Sequence, residues 1–238
     1  VNIKSTNDIL PWGSVPPNFV YEVEIEFIGK KLTSEHINNE LNYIESLLEN
    51  NTYQNILGKL KSKFYLKDIH KLPNQVVGLK KLNFILIKHD YAAVDKADGE
   101  RLLFYLNGES LYTIDLAYNV KKINTIVNKH NDSLIEGELV TIKGKQVFLV
   151  FDCLLFEGKD VRNKYLRPRL DMADKIQKYL NTLNSEFEFR LKDFYFETDI
   201  FKSSEKVLNS KYQYELDGII YTPTNKPYSG ENFKWKPS

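Results

Sequence analysis

Residues 133–156, SLIEGELVTIKGKQVFLVFDCLLF, contain two apolar runs separated by a Lys143-Gly144 pair. Strands are predicted on either side of this pair, at Ser133–Ile142 and Gln146–Phe156, because both runs are rich in β-branched and aromatic residues. A short glycine-containing turn joins antiparallel strands. The stretch therefore predicts a β-hairpin within an antiparallel sheet.

The strand pattern extends on both sides of this hairpin. Upstream, with a turn at Asn107-Gly108, three strands are predicted at Ala92–Asp95, Arg101–Leu106 and Leu111–Asp115. Downstream, an amphipathic helix is predicted from the spacing of Met172, Ile176, Leu180 and Leu183. Strands resume at Phe187–Phe196, Tyr214–Thr222 and Phe233–Lys236. These elements predict an α+β fold of antiparallel sheets flanked by helices.

The first 70 residues have a different pattern. Polar and apolar residues alternate from Tyr21 to Phe27, which predicts a strand. Apolar residues then recur at helical spacing from Ile37 to Leu48, and a second short helix is predicted through Ile56 and Leu60. We expect residues 1–30 to be the tail of an upstream domain, residues 31–70 a helical connector, and residues 71–238 the main domain.

The composition excludes several classes of protein. Hydrophobic residues make up 42% of the chain, and no apolar run approaches the roughly 20 residues that a membrane span needs. The 33 basic and 32 acidic residues nearly cancel, so any contact with nucleic acid is expected to be local. The single cysteine, Cys153, lies in an apolar run and is predicted to be a buried thiol in a reducing compartment.

Chemistry is suggested by the segment Val94-Asp-Lys-Ala-Asp-Gly-Glu-Arg101, in which Lys96 ends an apolar strand. A lysine amine attacks phosphorus only when it is neutral, and desolvation and nearby cations favour that form. Gly99 lets the backbone bend tightly and lets a nucleotide approach. The candidate neighbouring cations are Arg101, Lys234 and Lys236. Taken alone, the segment fits an ordinary surface turn better, because Lys-x-Asp-Gly also occurs there by chance.

Four further clusters follow in order: Glu136-Gly-Glu-Leu-Val140, Val150-Phe-Asp-Cys153, Leu216-Asp-Gly-Ile-Ile-Tyr221 and Phe233-Lys-Trp-Lys-Pro237. With the Lys96 segment they resemble the collinear motifs of the covalent nucleotidyltransferase superfamily, which contains mRNA capping enzymes and polynucleotide ligases. The resemblance covers about residues 72–237. It includes Leu72-Pro-Asn-Gln-Val-Val-Gly78, which is similar to the segment before the nucleophile in capping enzymes.

Two details resemble the capping branch of this superfamily. The fourth motif has aspartate at Asp217, and the fifth reads Lys234-Trp-Lys-Pro237, whereas ligases usually have glutamate and lack the Trp-Lys-Pro run. The resemblance implies an mRNA guanylyltransferase that forms a lysyl-GMP intermediate at Lys96 from GTP and passes GMP to an RNA 5′-diphosphate end. Two alternatives stay open: an ATP-dependent ligase domain that adenylylates Lys96, and an inactive module that binds RNA ends.

The resemblance and the chemistry of the side chains together assign roles to the other motif residues. Glu138 and Asp217 are expected to bind Mg²⁺ or Mn²⁺, and Glu138 also a ribose hydroxyl. Lys234 and Lys236, two residues apart on one strand, would share a face toward phosphate oxygens. Phe151 is expected to stack on the base. Asp98 and Arg101 are expected to contact the ribose and to contribute to the charge of the cleft. The alternatives are solvated carboxylates, surface lysines and a core phenylalanine.

The N-terminal strand carries one further feature. Glu22, Glu24 and Glu26 lie on one face of it and resemble a glutamate strand of metal-dependent RNA triphosphatases, although a charged edge strand would look the same. A triphosphatase strand before a guanylyltransferase resembles the fused capping enzymes of asfarviruses, poxviruses and giant amoebal viruses. This resemblance implies continuity with triphosphatase and methyltransferase domains, and a cytoplasmic viral replication site.

Two departures from the family pattern are visible. Glu136 stands where many relatives have aspartate, which leaves Glu138 in register. The chain ends after the fifth motif, so the OB-fold domain that follows in relatives is expected to be absent from this chain. Lysine guanylylation by this chain alone is therefore expected to be slow.

Overall fold

The computed structural model describes residues 37–38 and 53–237. Contacts divide the chain into one unit at Val1–Asn51 and a second at Thr52–Ser238. In the first unit, residues 37 and 38 are helical. The predicted strand at 21–27, with Glu22, Glu24 and Glu26, lies outside the described residues. The second unit contains all the clusters from Lys96 onward.

The smaller sheet of this unit has four strands. In spatial order they are β1 (Val76–Gly78), β11 (Asn232–Trp235), β10 (Leu216–Pro223) and β2 (Tyr91–Ala97). Strand β10 is antiparallel to both neighbours, whereas β1 runs parallel to β11. The helix α4 (Ile200–Asn209) buries Ile200 and Val207 in the same core as three apolar side chains of this sheet: Ile219, Tyr221 and Phe233.

The larger sheet comprises seven of the described strands. Six lie in the order β5 (Val120–Ile126), β4 (Ser110–Asp115), β3 (Glu100–Asn107), β6 (Ser133–Ile142), β7 (Lys145–Phe156) and β8 (Lys159–Asp160). The seventh, β9 (Phe187–Leu191), pairs in parallel with β7. The central strands are buried on both faces, because side chains alternate across a strand and both faces are covered by helices.

One face of the larger sheet packs against α3 (Leu166–Leu180), where Ala173 and Ile176 share a core with Phe104, Phe148 and Phe189. The other face packs against α1, the helix at residues 53–63, through Leu60 and through Phe64, the residue that follows the helix. The remaining helical pieces are α2 (Phe84–Ile87) and two 3₁₀ turns at Ile69–Lys71 and Lys81–Asn83. The compact unit thus includes α1, which the sequence division at residue 71 assigns to a connector.

The predicted α+β class and the hairpin at 133–156 are confirmed, and β6 has the predicted bounds. Several elements were not predicted, among them β1, β5, β8, α2 and α4. Strand β5 has a polar sequence in which Lys121 and Lys122 are exposed, as expected at a sheet edge. No helix was predicted over the residues that form α4. The predicted helix also ends earlier, at Leu180.

The predicted strand at Phe187–Phe196 is wrong in its second half. The Lys192 amide still donates to Val150 of the larger sheet, but Tyr195 pairs with Ala93 of the smaller sheet. The chain therefore leaves one sheet and joins the other within three residues, which ends β9 at Leu191. Strands β1 and β9 pair in parallel with their neighbours, in sheets that are otherwise antiparallel, as predicted.

Two predictions from composition can be compared with the structure. Cys153 is fully buried, its thiol donates to the Leu155 carbonyl oxygen at 3.3 Å, and burial raises the pKa of the thiol. Within the described ranges, no helix combines the length and the apolarity needed to cross a bilayer.

Substitutions at two glycines, one in the larger sheet and one in α1, can test how tightly the larger sheet is packed. A Cβ added at Gly137 would lie 2.5 Å from the Leu149 carbonyl oxygen, whereas one at Gly58 in α1 would meet no atom within 4 Å. Gly137→Ala is expected to lower the free energy of unfolding by about 1–3 kcal/mol through overpacking. Gly58→Ala is expected to raise it by roughly 0.5–1 kcal/mol, because alanine favours helix. Urea unfolding of both variants measures the difference, and equal effects would contradict the packing described.

Candidate active site

A cleft of about 400 Å³ lies between the two sheets. The smaller sheet contributes residues of β2, β10 and β11, and the larger sheet contributes residues of β3, β6 and β7. Both acidic and basic side chains line it, including Asp95, Lys96, Arg101, Glu138, Lys192 and Lys234. The cleft is therefore a charged site bounded by the two sheets.

Lys96 is the penultimate residue of β2, and its side chain is 18% exposed. Its ammonium group forms an ion pair with Asp217 of β10, and Lys236 Nζ lies 2.7 Å from the same carboxylate oxygen. The hydrogen bonds from Lys236 and Lys96 hold the pKa of Asp217 below its ordinary value. Both lysines of this cluster therefore share one carboxylate.

Gly218 makes this arrangement possible. Its φ is +129°, and an added Cβ would overlap with the carbonyl oxygen of Trp235. The pairing register between β10 and β2 also shifts between Leu216 and Ile219. Because residue 218 has no side chain, the end of β11 approaches β10 closely and Lys236 reaches Asp217.

Lys192 connects the two sheets beneath the cleft. Its side chain is 3% exposed, and its ammonium lies 2.6 Å from Glu138 of β6 and 3.1 Å from the Asp95 carboxylate of β2. Tyr214 donates a further hydrogen bond of 3.0 Å to Asp95. A buried lysine with two carboxylate partners neutralises charges that would otherwise repel each other in a medium of low polarity.

Arg101 of β3 lies on the opposite wall. Its Nε donates to Glu136 Oε1 at 2.7 Å, and its guanidinium carbon lies 5.7 Å from the centre of the Phe151 ring. Glu136 is fully buried and also accepts a 2.7 Å hydrogen bond from the Tyr228 hydroxyl. Burial raises the pKa of Glu136, and the contacts with Arg101 and Tyr228 oppose that rise.

The neighbour of Phe151 has a structural partner of its own. Asp152 is buried and accepts hydrogen bonds of 2.8 and 3.0 Å from Nε and Nη2 of Arg169 in α3. This two-point contact fixes β7 against α3. It also fixes the backbone at Phe151, whose ring lines the cleft.

A sequence model described as "mRNA capping enzyme, catalytic domain" matches residues 21–238. The chain belongs to this family. A protein of Acanthamoeba polyphaga mimivirus named "Probable mRNA-capping enzyme" is 26% identical over an alignment that covers 99% of this chain and 26% of that protein. The mRNA-capping enzyme of African swine fever virus (isolate Pig/Kenya/KEN-50/1950) is 26% identical over 92% of this chain and 28% of its own length. This chain therefore spans between a quarter and a third of the length of these viral relatives.

Among solved structures, the ligase domain from M. tuberculosis LigD is similar with a TM-score of 0.48 and 12% identity, over 69% of this chain and 60% of that chain. The resemblance to capping enzymes that the motifs suggested is thus confirmed by the family match.

Most of the predicted site residues of this capping-enzyme domain come together. Five of them line the cleft: Lys96, Arg101, Glu138, Phe151 and Lys234. Asp217 and Lys236 join the group through the ion pair with Lys96. Asp98 is exposed and does not line the cleft, and neither does Gly99, where an added Cβ would lie 2.8 Å from the Leu139 carbonyl oxygen. The position of Gly99 is explained by close packing against β6.

Sequence reasoning missed Lys192, Asp95 and Tyr228. A charged residue inside the predicted apolar strand 187–196 was a signal for Lys192, since lysine is seldom buried without a partner. Tyr228 lies in Thr224-Asn-Lys-Pro-Tyr-Ser-Gly230, a composition typical of an exposed turn, and gave no such signal.

The expected metal site can be compared with the carboxylates that are present. Within the described residues, no group of three or more His, Cys, Asp or Glu side chains could hold a metal ion by itself. Glu138 and Asp217 each contact lysines instead. This donor set fits Mg²⁺ held by one or two carboxylates together with phosphate oxygens and water, which is the usual arrangement for that ion.

The bridge formed by Lys192 predicts a large effect on stability. Lys192→Met would leave the buried Asp95 carboxylate and the half-buried Glu138 carboxylate without their cation, so we expect a loss of about 3–5 kcal/mol in the free energy of unfolding. Lys178 is the matched control, because it also pairs with an aspartate, Asp174, but its side chain is 70% exposed. Lys178→Met should cost less than about 1 kcal/mol. Denaturant unfolding measures the free energy of unfolding of both variants. Similar losses would show that the Lys192 ion pairs stabilise the fold no more than an exposed ion pair does.

Proposed function

We propose that this chain is an mRNA guanylyltransferase that transfers GMP from GTP, through a covalent bond to Lys96, to the 5′-diphosphate end of RNA. The observation that carries the proposal is the position of Lys96 in the cleft. It lies at the end of β2 with cationic side chains on both walls, in a chain of the capping-enzyme family.

The reaction has two transfers at one phosphorus atom. First, Lys96 Nζ attacks the α-phosphorus of GTP, an N–P bond forms, the bond to the β-phosphate oxygen breaks, and pyrophosphate leaves. Then a terminal phosphate oxygen of the RNA attacks the same phosphorus and the N–P bond breaks. The product is the GpppN cap, and Lys96 is regenerated.

Lys96 must lose its proton before it attacks. Lys96 contacts Asp217 in the described structure, so Asp217 would have to engage another cation for the Lys96 amine to reach the α-phosphorus. Lys236, which already contacts Asp217, and Lys234, which lines the cleft, are placed to neutralise charge on the α-phosphate and on pyrophosphate.

Mg²⁺ or Mn²⁺ is the cofactor that fits this arrangement, with Asp217 and Glu138 as candidate ligands. Such an ion, when bound with GTP, polarises the phosphate and offsets the negative charge that develops on it. Removing divalent cations with EDTA should therefore abolish formation of the adduct, while excess Mg²⁺ should restore it.

The remaining walls of the cleft suit a nucleoside. Phe151 offers a ring face for the base, and Arg101 beside it offers donors for the ribose. The ribose contact expected of Asp98 would require a nucleotide that extends beyond this cleft, and that expected role stays a prediction.

The greater length of the viral relatives supports a wider proposal. In it the chain is part of a longer polypeptide with triphosphatase and methyltransferase domains that acts on RNA 5′ ends in the cytoplasm of an infected cell. Glu22, Glu24 and Glu26 would then belong to the triphosphatase metal site, and would be dispensable for nucleotidyl transfer.

Substituting Lys96 by arginine tests whether Lys96 acts as the nucleophile or only as a positive charge. Lys96→Arg keeps the positive charge, but a guanidinium stays protonated and cannot attack phosphorus. Intact-protein mass after incubation with GTP and Mg²⁺ should show a GMP-sized gain in the wild type and none in Lys96→Arg. The control is Lys211→Arg, at an exposed lysine outside the cleft, which should react like the wild type.

The same assay distinguishes the alternatives. A mass gain from ATP but not from GTP would favour the ligase activity. No gain from either nucleotide, with a folded protein, would favour a module that only binds RNA ends. A GMP adduct that persists in Lys96→Arg would show that another residue is the nucleophile.

A further inference from the structure

We propose that Tyr228 is a positioning residue of the nucleotide site, which orients the Arg101 guanidinium over the Phe151 ring through the buried carboxylate of Glu136. The inference rests on the proposed function, in which Arg101 and Phe151 contact the bound nucleotide. Tyr228 itself lies in the loop between β10 and β11, outside the five motif clusters described above.

The Tyr228 hydroxyl has two partners that fix its direction. It donates to Glu136 Oε2 at 2.7 Å and accepts from the backbone amide of Asn74 at 2.8 Å. The side chain is buried, so water does not replace either contact. Since a phenol has one proton to donate, the accepted bond from Asn74 commits that proton to Glu136.

Glu136 passes this orientation on to Arg101. One carboxylate oxygen accepts from Tyr228 and the other accepts from the Arg101 guanidinium, at 2.7 Å from Nε. Because each oxygen has its own donor, the buried carboxylate cannot rotate without breaking a charge-assisted hydrogen bond. The guanidinium of Arg101, whose side chain is 23% exposed, then presents its free edge to the cleft.

Tyr228 is in turn held by contacts with two other parts of the chain. Asn74 Nδ2 donates to the carbonyl oxygens of Tyr228 and Gly230 at 2.7 and 2.8 Å. The Tyr228 amide donates to the Arg162 carbonyl oxygen at 2.7 Å. The loop before β11 is therefore tied to the segment before β1 and to the segment that follows β8.

These contacts predict a specific kinetic signature. Arginine binds planar or anionic groups through a fixed set of donors, so its orientation affects how tightly the nucleotide is held. Lys96 is not part of the network, and the chemical step should therefore be unaffected. Loss of the Tyr228 hydroxyl should raise KM for GTP and leave kcat unchanged.

The test is Tyr228→Phe, assayed by initial rates of lysyl-GMP formation over a range of GTP concentrations. We expect KM to rise about tenfold, because a hydrogen bond to a buried charged group is lost, with kcat within about twofold of the wild type. The matched control is Tyr221→Phe. Tyr221 is also buried, and its hydroxyl bonds to Ser204 at 3.0 Å, on the α4 side of the smaller sheet. This variant should keep the wild-type KM.

A double-mutant cycle distinguishes positioning from a general structural effect. Arg101→Lys keeps the charge but lacks the planar group that the network orients. If Tyr228 acts through Arg101, adding Tyr228→Phe to Arg101→Lys should raise KM by less than about twofold. A full tenfold increase in both backgrounds would overturn the proposal.

Two further outcomes are informative. If Tyr228→Phe fails to fold, Asn74→Ala, which removes the side-chain bonds to the loop, should still raise KM about threefold, and an unchanged KM would refute the proposal. If the wild type forms lysyl-GMP but Tyr228→Phe and Tyr221→Phe have equal KM values, only this inference fails. A wild type that forms no lysyl-GMP with Mg²⁺ would overturn the proposed function and this inference together.

Discussion

The Lys192 ammonium group lies between a carboxylate of each sheet, and the geometry of the cleft depends on that contact. Asp95 belongs to β2, which also carries Lys96, and Glu138 belongs to β6. A buried ion pair adds little net stability over apolar packing, but it demands a defined arrangement of its partners. The contact therefore fixes the separation of the two walls where the nucleophile meets them.

The path of the chain around Lys192 reinforces this link. Residues up to Lys192 pair with β7 of the larger sheet, and Tyr195 already pairs with Ala93 of the smaller sheet. The chain itself thus passes from one sheet to the other at the place where the ion pairs of Lys192 connect them. On the opposite side, Tyr228 and Glu136 provide a second link through neutral and charge-assisted hydrogen bonds. A site preorganised in this way orients its donors before the nucleotide arrives, which is the arrangement that favours transfer at phosphorus.

The sequence predicted those features that depend on local pattern. Alternation and turn residues located β6 and β7, and the order of the motifs brought Lys96, Glu138, Phe151 and Lys234 to one cleft. It could not predict features that depend on distant contacts. The parallel pairing of β9 with β7 and the crossing at Lys192 follow from packing between the sheets, and the burial of Tyr228 follows from its contact with Asn74, 154 residues away in the chain. Gly99 shows the converse case, in which a motif residue expected at the nucleotide is explained by close contact with β6.

The most direct test of the account is to locate the nucleotide on the protein by tandem mass spectrometry after incubation with GTP and Mg²⁺ and digestion. The account predicts GMP on the peptide that contains Lys96, through a phosphoramidate bond that is lost in acid and survives in alkali. GMP on a different residue, or an alkali-labile acyl phosphate (a mixed anhydride with a carboxylate), would contradict it.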